Sequence, residues 1–536
     1  MKKLPLGIQN FNEIVSNDYV YVDKTQYIYN LVNNAKYYFL SRPRRFGKSL
    51  LLDTISETFG GDRELFKGLW IYDSDYEFKK HPVIRLDMSN ISNESPEILK
   101  DSLMTSLTKR FESEKLETTV KIASDMFVQL IENLYEKYKQ RVVVLIDEYD
   151  KPILDHITNI EIADANRQVL KGFYGILKSM DPYLRFTFIT GVSKFTKTSI
   201  FSELNNLFDI TLTEDYANIC GVAEDDIDRY FGEYIGSLAE HGNFKKYDDL
   251  KAEILAWYDG YSWDGKTKVI NPFSLISFFM QKRFAGFWYA SGTPRFLVEL
   301  IKKTPESYAS IRDWKITEDM LDSVELDRIS VGCMLFQTGY LTIKDIPPTF
   351  GMPIYLLDIP NFEVREAFNL HILSAFSEKD AELTGRFRMD MFDALHSGDL
   401  QKMLELMRGF FSSIPYELHV DLEAYYHSIF YALMTVLGFD MDVEVSVSKG
   451  RVDAILELGD KVYVMEFKYK KSPPDAGGED KQKLFEEALD EAMRQINDRG
   501  YAARYQGSGK TIYKAAFAFL GRGNIEMRVE SYELKD

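Results

Sequence analysis

Cysteine and histidine are scarce in this sequence. Only 2 Cys and 7 His occur among 536 residues, and Cys220 and Cys333 lack the close spacing of a zinc site. A disulfide-stabilised secreted fold and a histidine-rich zinc site are therefore not expected. The sparse cysteines favour a reducing compartment.

Long hydrophobic runs are also missing. No stretch of about 18 consecutive apolar residues occurs, so no membrane span is predicted. The N-terminal segment, MKKLPL at 1–6, turns polar at once and contains no apolar signal-peptide core. These absences predict a cytoplasmic protein without membrane contact.

Positive charge is in deficit too. The chain has 65 Lys and Arg against 83 Asp and Glu, which gives a formal net charge of −18. Proteins that coat DNA are typically basic, because contacts with phosphates supply much of their affinity. The acidic balance therefore argues against a passive DNA-coating protein. A nuclease remains compatible with it if its carboxylates bind cations.

The residues that are abundant indicate a well-packed globular chain. Hydrophobic residues make up 45% and aromatic residues 14% of the sequence, which argues against disorder. At 536 residues the chain is too long for a single core, so two to four domains are predicted.

Short β-rich runs alternate with helical stretches in the first part of the chain. These runs are residues 37–40, 83–86, 142–146 and 186–189. Such alternation predicts an α/β fold with a mostly parallel sheet. Residues 213–415 are predicted to be mainly helical, with a β-like patch at 339–343 that is compatible with a winged-helix element. After residue 416 we expect a helix, tight strands and a further helix.

A phosphate-binding loop is predicted at residues 41–49, SRPRRFGKS, between an apolar strand and a helix. Backbone N–H groups and the helix N-terminus would face the phosphates. Lys48 would reach the β- and γ-phosphates, and the Ser49 hydroxyl would bind Mg²⁺. The predicted nucleotide-binding residues are Arg45, Phe46, Gly47, Lys48, Ser49 and Asp147.

Asp147 and Glu148 follow a strongly apolar run at 142–146. This Walker B pattern predicts that Asp147 binds magnesium and that Glu148 orients or deprotonates the attacking water. Arg42 stands where the P-loop pattern has its first glycine. Nucleotide binding is therefore predicted more firmly than hydrolysis, and a chance strand–turn–helix remains the alternative.

Two further positions are candidates for sensing the γ-phosphate. Thr190 or Ser193, at the end of the run at 186–189, is a candidate sensor, with a plain strand-to-loop transition as the alternative. Arg295 is a candidate charge-stabilising arginine, with a structural salt bridge as the alternative.

A second site is predicted in a β-hairpin near the C-terminus. Gly459 and Asp460 separate two alternating apolar runs and signal a two-residue turn. If Leu458 faces Lys461, counting outward puts Asp453 opposite Glu466, with Cβ atoms about 5 Å apart on one face. Period-two alternation then places Lys468 on that face as well.

Two opposed carboxylates repel each other unless a cation lies between them. We therefore expect Asp453 and Glu466 to bind Mg²⁺ or Mn²⁺, which would activate water and stabilise charge on a phosphodiester. Lys468 would orient the nucleophile or stabilise that charge. The alternative is a solvated face in which Lys468 and Arg451 neutralise the acids. Either Glu423 or Glu444 is a candidate further ligand.

These motifs together resemble a known family, the AAA-ATPase-like proteins that carry a C-terminal PD-(D/E)XK nuclease-superfamily domain. The resemblance spans nearly the whole chain. The matching segments are LPLG (4–7), YVDK (21–24), RPRRFGKS (42–49), DEYD (147–150), WYDGY (257–261), NPFS (271–274), SGTP (291–294), FQTGY (336–340), GRVD (450–453) and EFK (466–468).

The resemblance implies a domain order and further site residues. It implies a P-loop AAA-like ATPase domain at 1–212, a helical lid with a winged-helix region at 213–345, a helical connector at 346–415 and a restriction-endonuclease-like domain at 416–536. It implies Asp453 and Glu466 as metal ligands, Lys468 as catalytic, and Gln495 as an auxiliary residue like that of RecB-type nucleases. In this family the arginine form of the loop is the usual one.

The leading hypothesis is an ATP-binding, ATP-hydrolysing protein that gates a Mg²⁺-dependent nuclease, with DNA the expected substrate. A nucleotide-controlled interaction switch that binds a partner or nucleic acid without cutting is the alternative, and a pure ATPase with a degenerate C-terminal domain is a third. ATPases of this type often complete their sites between subunits, so a homo-oligomer is compatible with the sequence.

Overall fold

The structure is a computed structural model. It describes residues 1–195, 200–201, 204, 206–241, 246–288, 314–322, 324–325, 328–348, 351–368, 381–412, 426, 429–430, 433–434, 441–447, 450–471, 477–499, 505, 509–520 and 524–533. The chain divides into two compact units. Unit 1 comprises Met1–Phe296 and Arg312–Val364, and unit 2 comprises Leu297–Ile311 and Arg365–Asp536.

Unit 1 begins with helices that alternate with parallel strands. The elements are α1 Phe11–Ser16, α2 Thr25–Asn34, β1 Tyr37–Ser41, α3 Lys48–Gly60, β2 Val83–Asp87, α4 Pro96–Ser113, α5 Ala123–Tyr138, β3 Val142–Asp147, α6 Lys151–Leu154, α7 Ile160–Ser179, β4 Leu184–Gly191 and β5 Phe208–Asp209. Their five strands form one parallel sheet in the order β2-β3-β4-β1-β5. The predicted parallel α/β sheet is confirmed.

Strand burial explains this arrangement. Every residue of β1 and of β3 is buried, as expected for parallel strands covered on both faces. Because β4 lies between β3 and β1, the ends of all three strands meet at one edge of the sheet. That edge carries the loop after β1 and the acidic residues after β3.

The rest of unit 1 is mainly helical, with short strands. Its elements are β6 Val222–Ala223, α8 Glu224–His241, α9 Tyr247–Tyr258, β7 Val269–Ile270, α10 Pro272–Gln281, β8 Trp314–Thr317, α11 Glu318–Asp322, β9 Val324–Glu325, β10 Arg328–Ile329, α12 Val331–Thr338, β11 Thr342–Asp345 and β12 Ile354–Asp358. The core of its helical part gathers apolar residues of α8, α9 and α10 around Phe231, Ile254 and Phe278.

A small antiparallel sheet has the order β11-β12-β8. Over 314–358 the chain order is β8, α11, the short β9–β10 pair, α12, β11 and β12, so the predicted winged-helix element stays a prediction. The β-like patch predicted at 339–343 lies where α12 ends and β11 begins. Sequence reasoning did not predict β8 and β12, which pair with each other across some forty residues of chain.

Unit 2 contains a five-stranded mixed sheet. Its elements are α13 Ala381–Ser397, α14 Leu400–Phe411, β13 Met441–Val447, β14 Gly450–Leu458, β15 Lys461–Lys470, α15 Gly478–Arg499, β16 Thr511–Leu520 and β17 Ile525–Glu533. The order is β13-β14-β15-β16-β17, and only the β15–β16 pair is parallel. Helix α15 is the crossover that joins this parallel pair.

The helix predicted after the hairpin is α15, and it has one apolar face: Phe485, Ala488, Leu489, Ala492 and Ile496 are all buried in one cluster. The same cluster includes sheet residues of β14, β15 and β16. On the opposite face of the sheet, rings of β15 and β16 contact Tyr426 and Phe430. The sheet is therefore covered on both faces.

No helix in the described parts of the chain is long and apolar enough to cross a membrane.

Candidate nucleotide and metal sites

The loop between β1 and α3 has the backbone geometry of an anion site. Gly47 is the N-cap residue of α3 and has φ 90°, a conformation that favours glycine. Arg45 has φ 71°. The N-terminal N–H groups of α3 are thus presented at the end of the loop, where phosphates bind favourably.

Lys48 is buried and donates hydrogen bonds within its own loop. Its Nζ lies 2.8 Å from the Arg42 carbonyl oxygen and 2.9 Å from that of Pro43. Burial lowers the pKa of Lys48, and the neighbouring carboxylate of Asp147 opposes that shift. A phosphate group would give this ammonium a stronger partner than the two carbonyls do.

Asp147 connects the end of β3 to the end of β4 and to the first turn of α3. Its Oδ2 accepts a hydrogen bond from Ser49 Oγ at 2.6 Å, and its Oδ1 accepts one from Thr190 Oγ1 at 2.7 Å. Glu148 follows Asp147 in the chain, has φ 51° and lines a cavity beside the loop. The predicted Mg²⁺ ligands Ser49 and Asp147 are therefore adjacent, and their oxygen donors suit a magnesium ion. Thr190 lies beside them.

Arg42 is fully buried and binds backbone carbonyls. Its Nη1 donates to the carbonyl oxygens of Ser41 at 2.9 Å and Thr211 at 2.8 Å, and its Nη2 donates to that of Tyr216 at 3.3 Å. The guanidinium also lies 4.0 Å from the ring centroid of Trp263. Burial lowers the pKa of Arg42 to about 10, so it stays charged at neutral pH. Arg42 thus anchors the base of the loop.

Phe46 and Arg45, both predicted to bind nucleotide, lie in different surroundings. Phe46 is buried, and its ring packs edge-on against Tyr261 and Trp263. Arg45 is exposed, and its guanidinium lies 4.7 Å from the ring centroid of Phe273. Phe46 therefore packs on the buried side of the loop, whereas Arg45 lies on its exposed side.

A cavity of about 430 Å³ opens beside the loop. Its polar and charged lining residues include Arg44, Arg45, Lys48, Ser49, Glu148 and Lys151. Its apolar lining residues include Pro5, Leu6, Ile8, Pro272, Phe273 and Ile276. A volume of this size, lined by both cations and apolar residues, suits a nucleoside triphosphate.

Asp150 is a residue of this region that sequence reasoning did not single out. Its carboxylate accepts hydrogen bonds from the N–H groups of Val192 and Ser193, the shortest at 2.6 Å. Burial raises its pKa to about 6, and these N–H groups oppose the shift. A Cβ at Gly191 would come within 2.6 Å of Asp150 and Tyr149, so glycine permits this contact. The predicted sensor Ser193 is therefore held through its backbone.

The second site lies on the α15 face of the sheet in unit 2. The predicted register is confirmed, since Leu458 pairs with Lys461 and Ala454 with Met465. In that register Asp453 is opposite Glu466. Each of the two carboxylates accepts a hydrogen bond from a backbone N–H of this residue pair or its neighbour. Asp453 Oδ2 accepts from the Phe467 N–H at 2.8 Å, and Glu466 Oε2 lies 3.4 Å from the Asp453 nitrogen.

Lys468 lies beside this pair. Its Nζ is 3.5 Å from Glu466 Oε1 and 3.1 Å from the Phe467 carbonyl oxygen. Glu466 is fully buried and Lys468 is nearly so, whereas Asp453 is half-buried. A buried carboxylate requires a compensating charge, and Lys468 supplies one. The structure brings Asp453, Glu466 and Lys468 together.

The oxygen donors here fit a divalent cation, with Asp453 and Glu466 as the ligands that the described residues offer. Within the described ranges, no group of three or more His, Cys, Asp or Glu side chains is placed to hold a metal ion. Glu444 lies on β13 between Val443, which pairs with Ala454, and Val445. The register therefore brings the backbone of Glu444 alongside that of Asp453.

The other predicted residues are placed as follows. Gln495 lies half-buried on α15, next to the buried Ile496. Glu423 and Arg295 lie outside the described residues, so their predicted roles stay predictions.

Comparison with known proteins matches both ends of the chain. Residues 5–201 match a family model described as a predicted AAA-ATPase. Residues 421–528 match the PD-(D/E)XK nuclease superfamily. A protein of Azotobacter chroococcum mcd 1, "Uncharacterized protein in vnfD 5'region", is 36% identical over 524 residues. That alignment covers 97% of this chain and 96% of the relative.

The chain belongs to the family of AAA-ATPase-like proteins with a C-terminal PD-(D/E)XK nuclease-superfamily domain.

In this AAA-ATPase-like protein the cavity beside the loop extends beyond the matched ATPase region. The ATPase match ends at residue 201, whereas Pro272, Phe273, Trp288 and Tyr340 also line the cavity. The helical part and the segment that follows α12 therefore complete the wall. The nuclease-superfamily match includes the whole Asp453, Glu466 and Lys468 arrangement.

Proposed function

We propose that this protein binds and hydrolyses ATP, and that its C-terminal domain cleaves nucleic acid phosphodiesters, with DNA as substrate and Mg²⁺ or Mn²⁺ as cofactor. The observation that carries the proposal is the placement of Asp453, Glu466 and Lys468 on one face of the β14–β15 hairpin. The Asp453 N–H donates to Glu466 Oε2 at 3.4 Å and the Phe467 N–H donates to Asp453 Oδ2 at 2.8 Å, so both carboxylates are held against the same paired backbone.

Each residue of the nuclease site has a distinct role in this proposal. A divalent cation held by Asp453 and Glu466 supplies charge stabilisation and an activated water when bound. The Phe467 N–H holds the Asp453 carboxylate in position. Lys468 places a positive charge beside Glu466, where it stabilises negative charge that develops on the phosphate. Gln495 is proposed as an auxiliary residue.

The ATPase residues act mainly by positioning. In our proposal Lys48 leaves its loop carbonyls for the β- and γ-phosphates, and Ser49 and Asp147 hold the magnesium of the nucleotide. Glu148 orients the attacking water. Thr190, hydrogen-bonded to Asp147, is placed to report on the γ-phosphate.

The nuclease proposal is tested by incubating the full chain with single- and double-stranded DNA and RNA in Mg²⁺ or Mn²⁺. We expect Asp453→Asn to lower the cleavage rate at least about a thousandfold, because a catalytic cation site is lost. Asp460→Asn is the matched control, since this exposed carboxylate lies at the turn of the same hairpin. Equal rates for wild type and Asp453→Asn would refute the assignment.

The ATPase proposal is tested by measuring ATP binding and phosphate release. We expect Lys48→Ala to weaken ATP binding at least about tenfold, because a charge-assisted contact with the phosphates is lost. Lys109→Ala, at an exposed position of α4, is the control. Unchanged binding in Lys48→Ala would place the nucleotide elsewhere.

A nucleotide-controlled interaction switch is the second candidate function. The net charge of −18 favours it, because an acidic chain repels nucleic acid. If ATP binds with the expected dependence on Lys48 while no substrate is cleaved, the switch is the better description.

A further inference from the structure

The chain passes from unit 1 to unit 2 at two places. The segments of unit 1 end at Phe296 and at Val364, and residues Leu297–Ile311 and Arg365–Asp536 belong to unit 2. Trp288 is the last described residue before the first departure, and Glu363 directly precedes Val364 at the second. These two residues are joined within unit 1.

Glu363 binds the backbone at Trp288. Its Oε1 accepts hydrogen bonds from the N–H groups of Phe287 at 2.6 Å and Trp288 at 2.8 Å, and from Ser274 Oγ at 3.1 Å. Glu363 is fully buried. Several N–H donors on one buried carboxylate oxygen make a strong, geometrically defined contact. The backbone at Trp288 is therefore held to the residue that directly precedes the second departure.

The Trp288 side chain continues this connection to the phosphate-binding loop. Its Nε1–H donates a hydrogen bond to the Arg44 carbonyl oxygen at 3.3 Å. Its ring packs edge-on against Tyr340, with centroids 5.1 Å apart. A Cβ at Gly339 would lie 2.8 Å from Pro43 and 3.3 Å from Trp288, so this packing leaves little space around the ring.

Nucleotide binding acts directly on this loop. Lys48 Nζ is bound to the carbonyl oxygens of Arg42 and Pro43, next to the Arg44 carbonyl that Trp288 binds. When phosphates draw Lys48 away, these carbonyls lose a charged donor and the loop changes its hydrogen bonding. Trp288 also lines the cavity itself, so it lies beside both the loop and the space proposed for the nucleotide.

We propose that Trp288 and Glu363 couple the nucleotide state of the phosphate-binding loop to the C-terminal nuclease-superfamily unit. Trp288 responds to the loop through its hydrogen bond to the Arg44 carbonyl oxygen. Glu363 passes this response to the point after Val364 where the chain leaves unit 1. This inference rests on the proposed nucleotide binding and adds its means of regulation. Trp288 and Glu363 are positioning residues, with no part in the chemistry of either site.

The test is hydrogen exchange of the full chain, with and without a saturating non-hydrolysable ATP analogue. In the wild type we expect the analogue to change exchange in peptides of the loop and in peptides that cover β14 and β15. Trp288→Phe keeps a ring but removes the N–H donor. With the analogue at a concentration that calorimetry shows to saturate this variant, we expect the loop changes to be retained and the β14–β15 changes to be lost.

Two further variants distinguish a loss of coupling from a general loss of structure. Glu363→Gln keeps the shape and an oxygen acceptor but removes the charge, so we expect the β14–β15 response to be reduced. Trp70→Phe removes an exposed tryptophan elsewhere in unit 1 and should respond as the wild type does. A full β14–β15 response in Trp288→Phe would overturn the inference, as would a wild type that binds the analogue without any response there.

This readout does not depend on cleavage. Failure to bind the analogue, measured by calorimetry, would remove the proposed nucleotide function together with the coupling. Binding without a response in unit 2 would remove the coupling alone. Absence of nuclease activity would leave the exchange result unaffected.

Discussion

At the scale of single residues, Arg42 is the position at which the phosphate-binding loop departs from the general pattern. The general pattern has glycine at this position, yet the Arg42 guanidinium is buried against three carbonyl oxygens and the Trp263 ring. Because the Arg42 side chain is buried, it does not occupy the exposed face of the loop, where phosphates would bind. The departure from the pattern is therefore a structural anchor, and it does not block the cavity.

This account predicts that restoring the general pattern is harmful. We expect Arg42→Gly to lower the free energy of unfolding by about 2–4 kcal/mol, because several buried carbonyls lose their donor. We also expect weaker ATP binding. Arg44→Gly, at an exposed position of the same loop, controls for the added glycine in the denaturation measurement. Stability and ATP affinity equal to wild type in Arg42→Gly would contradict the anchoring role.

Asp150 gives a pH-dependent prediction. Burial raises its pKa to about 6 from 3.8, so the folded state holds the proton more tightly than the unfolded state. This stabilising contribution is fully present below the unfolded pKa and is lost as pH rises through about 6. Between about pH 4 and pH 7 we expect the unfolding free energy of wild type to fall, relative to Asp150→Asn, by on the order of 2–3 kcal/mol. Parallel pH profiles for the two proteins would contradict this.

At the scale of secondary-structure elements, the β14–β15 hairpin was predictable because its signals are local. Gly459 has φ 59° and a two-residue turn fixes the register, so counting along the strands sufficed to oppose Asp453 and Glu466. The apolar face of α15 was predictable for a similar reason, since its spacing follows the helical period. Strands β1 to β4 were marked by their short apolar runs.

Contacts between distant parts of the chain were not predictable. Strands β8 and β12 pair across about forty residues, and Glu363 binds the N–H groups of Phe287 and Trp288 some 75 residues away. Neither contact leaves a periodic pattern in the sequence. Asp150 is similar, because its partners Val192 and Ser193 become neighbours only once β3 and β4 are paired. The sequence identified residues with characteristic chemistry, and folding determined which backbone groups hold them.

Helix α15 offers a test at this scale. Ala488 and Ala492 are fully buried against the sheet, so the helix lies close to it. We expect Ala492→Leu to overpack this contact and lower the free energy of unfolding by about 1–3 kcal/mol, and to lower cleavage by displacing Gln495. Glu487→Gln, at an exposed position of α15, should change stability by less than about 0.5 kcal/mol. An unaltered stability in Ala492→Leu would show that the helix packs less closely.

At the scale of the whole molecule, each unit contains a site with its own chemistry. Unit 1 surrounds a cavity lined by loop cations and apolar walls, and unit 2 carries an acidic pair with a buried lysine on one sheet face. The proposed connection within unit 1 runs from the Arg44 carbonyl through Trp288 to Glu363. In this proposal it links the nucleotide to the point after Val364 at which the chain enters the nuclease-superfamily unit.

The central claim is that Asp453 and Glu466 hold a divalent cation, and Mn²⁺ binding to the full chain tests it most directly. Electron paramagnetic resonance titration without nucleotide would compare wild type, Asp453→Asn and Asp460→Asn, each also with Ser49→Ala to remove the ligand predicted in the ATPase site. We predict a Mn²⁺ site that Asp460→Asn retains and Asp453→Asn loses. Equal Mn²⁺ binding by Asp453→Asn and wild type would contradict the claim.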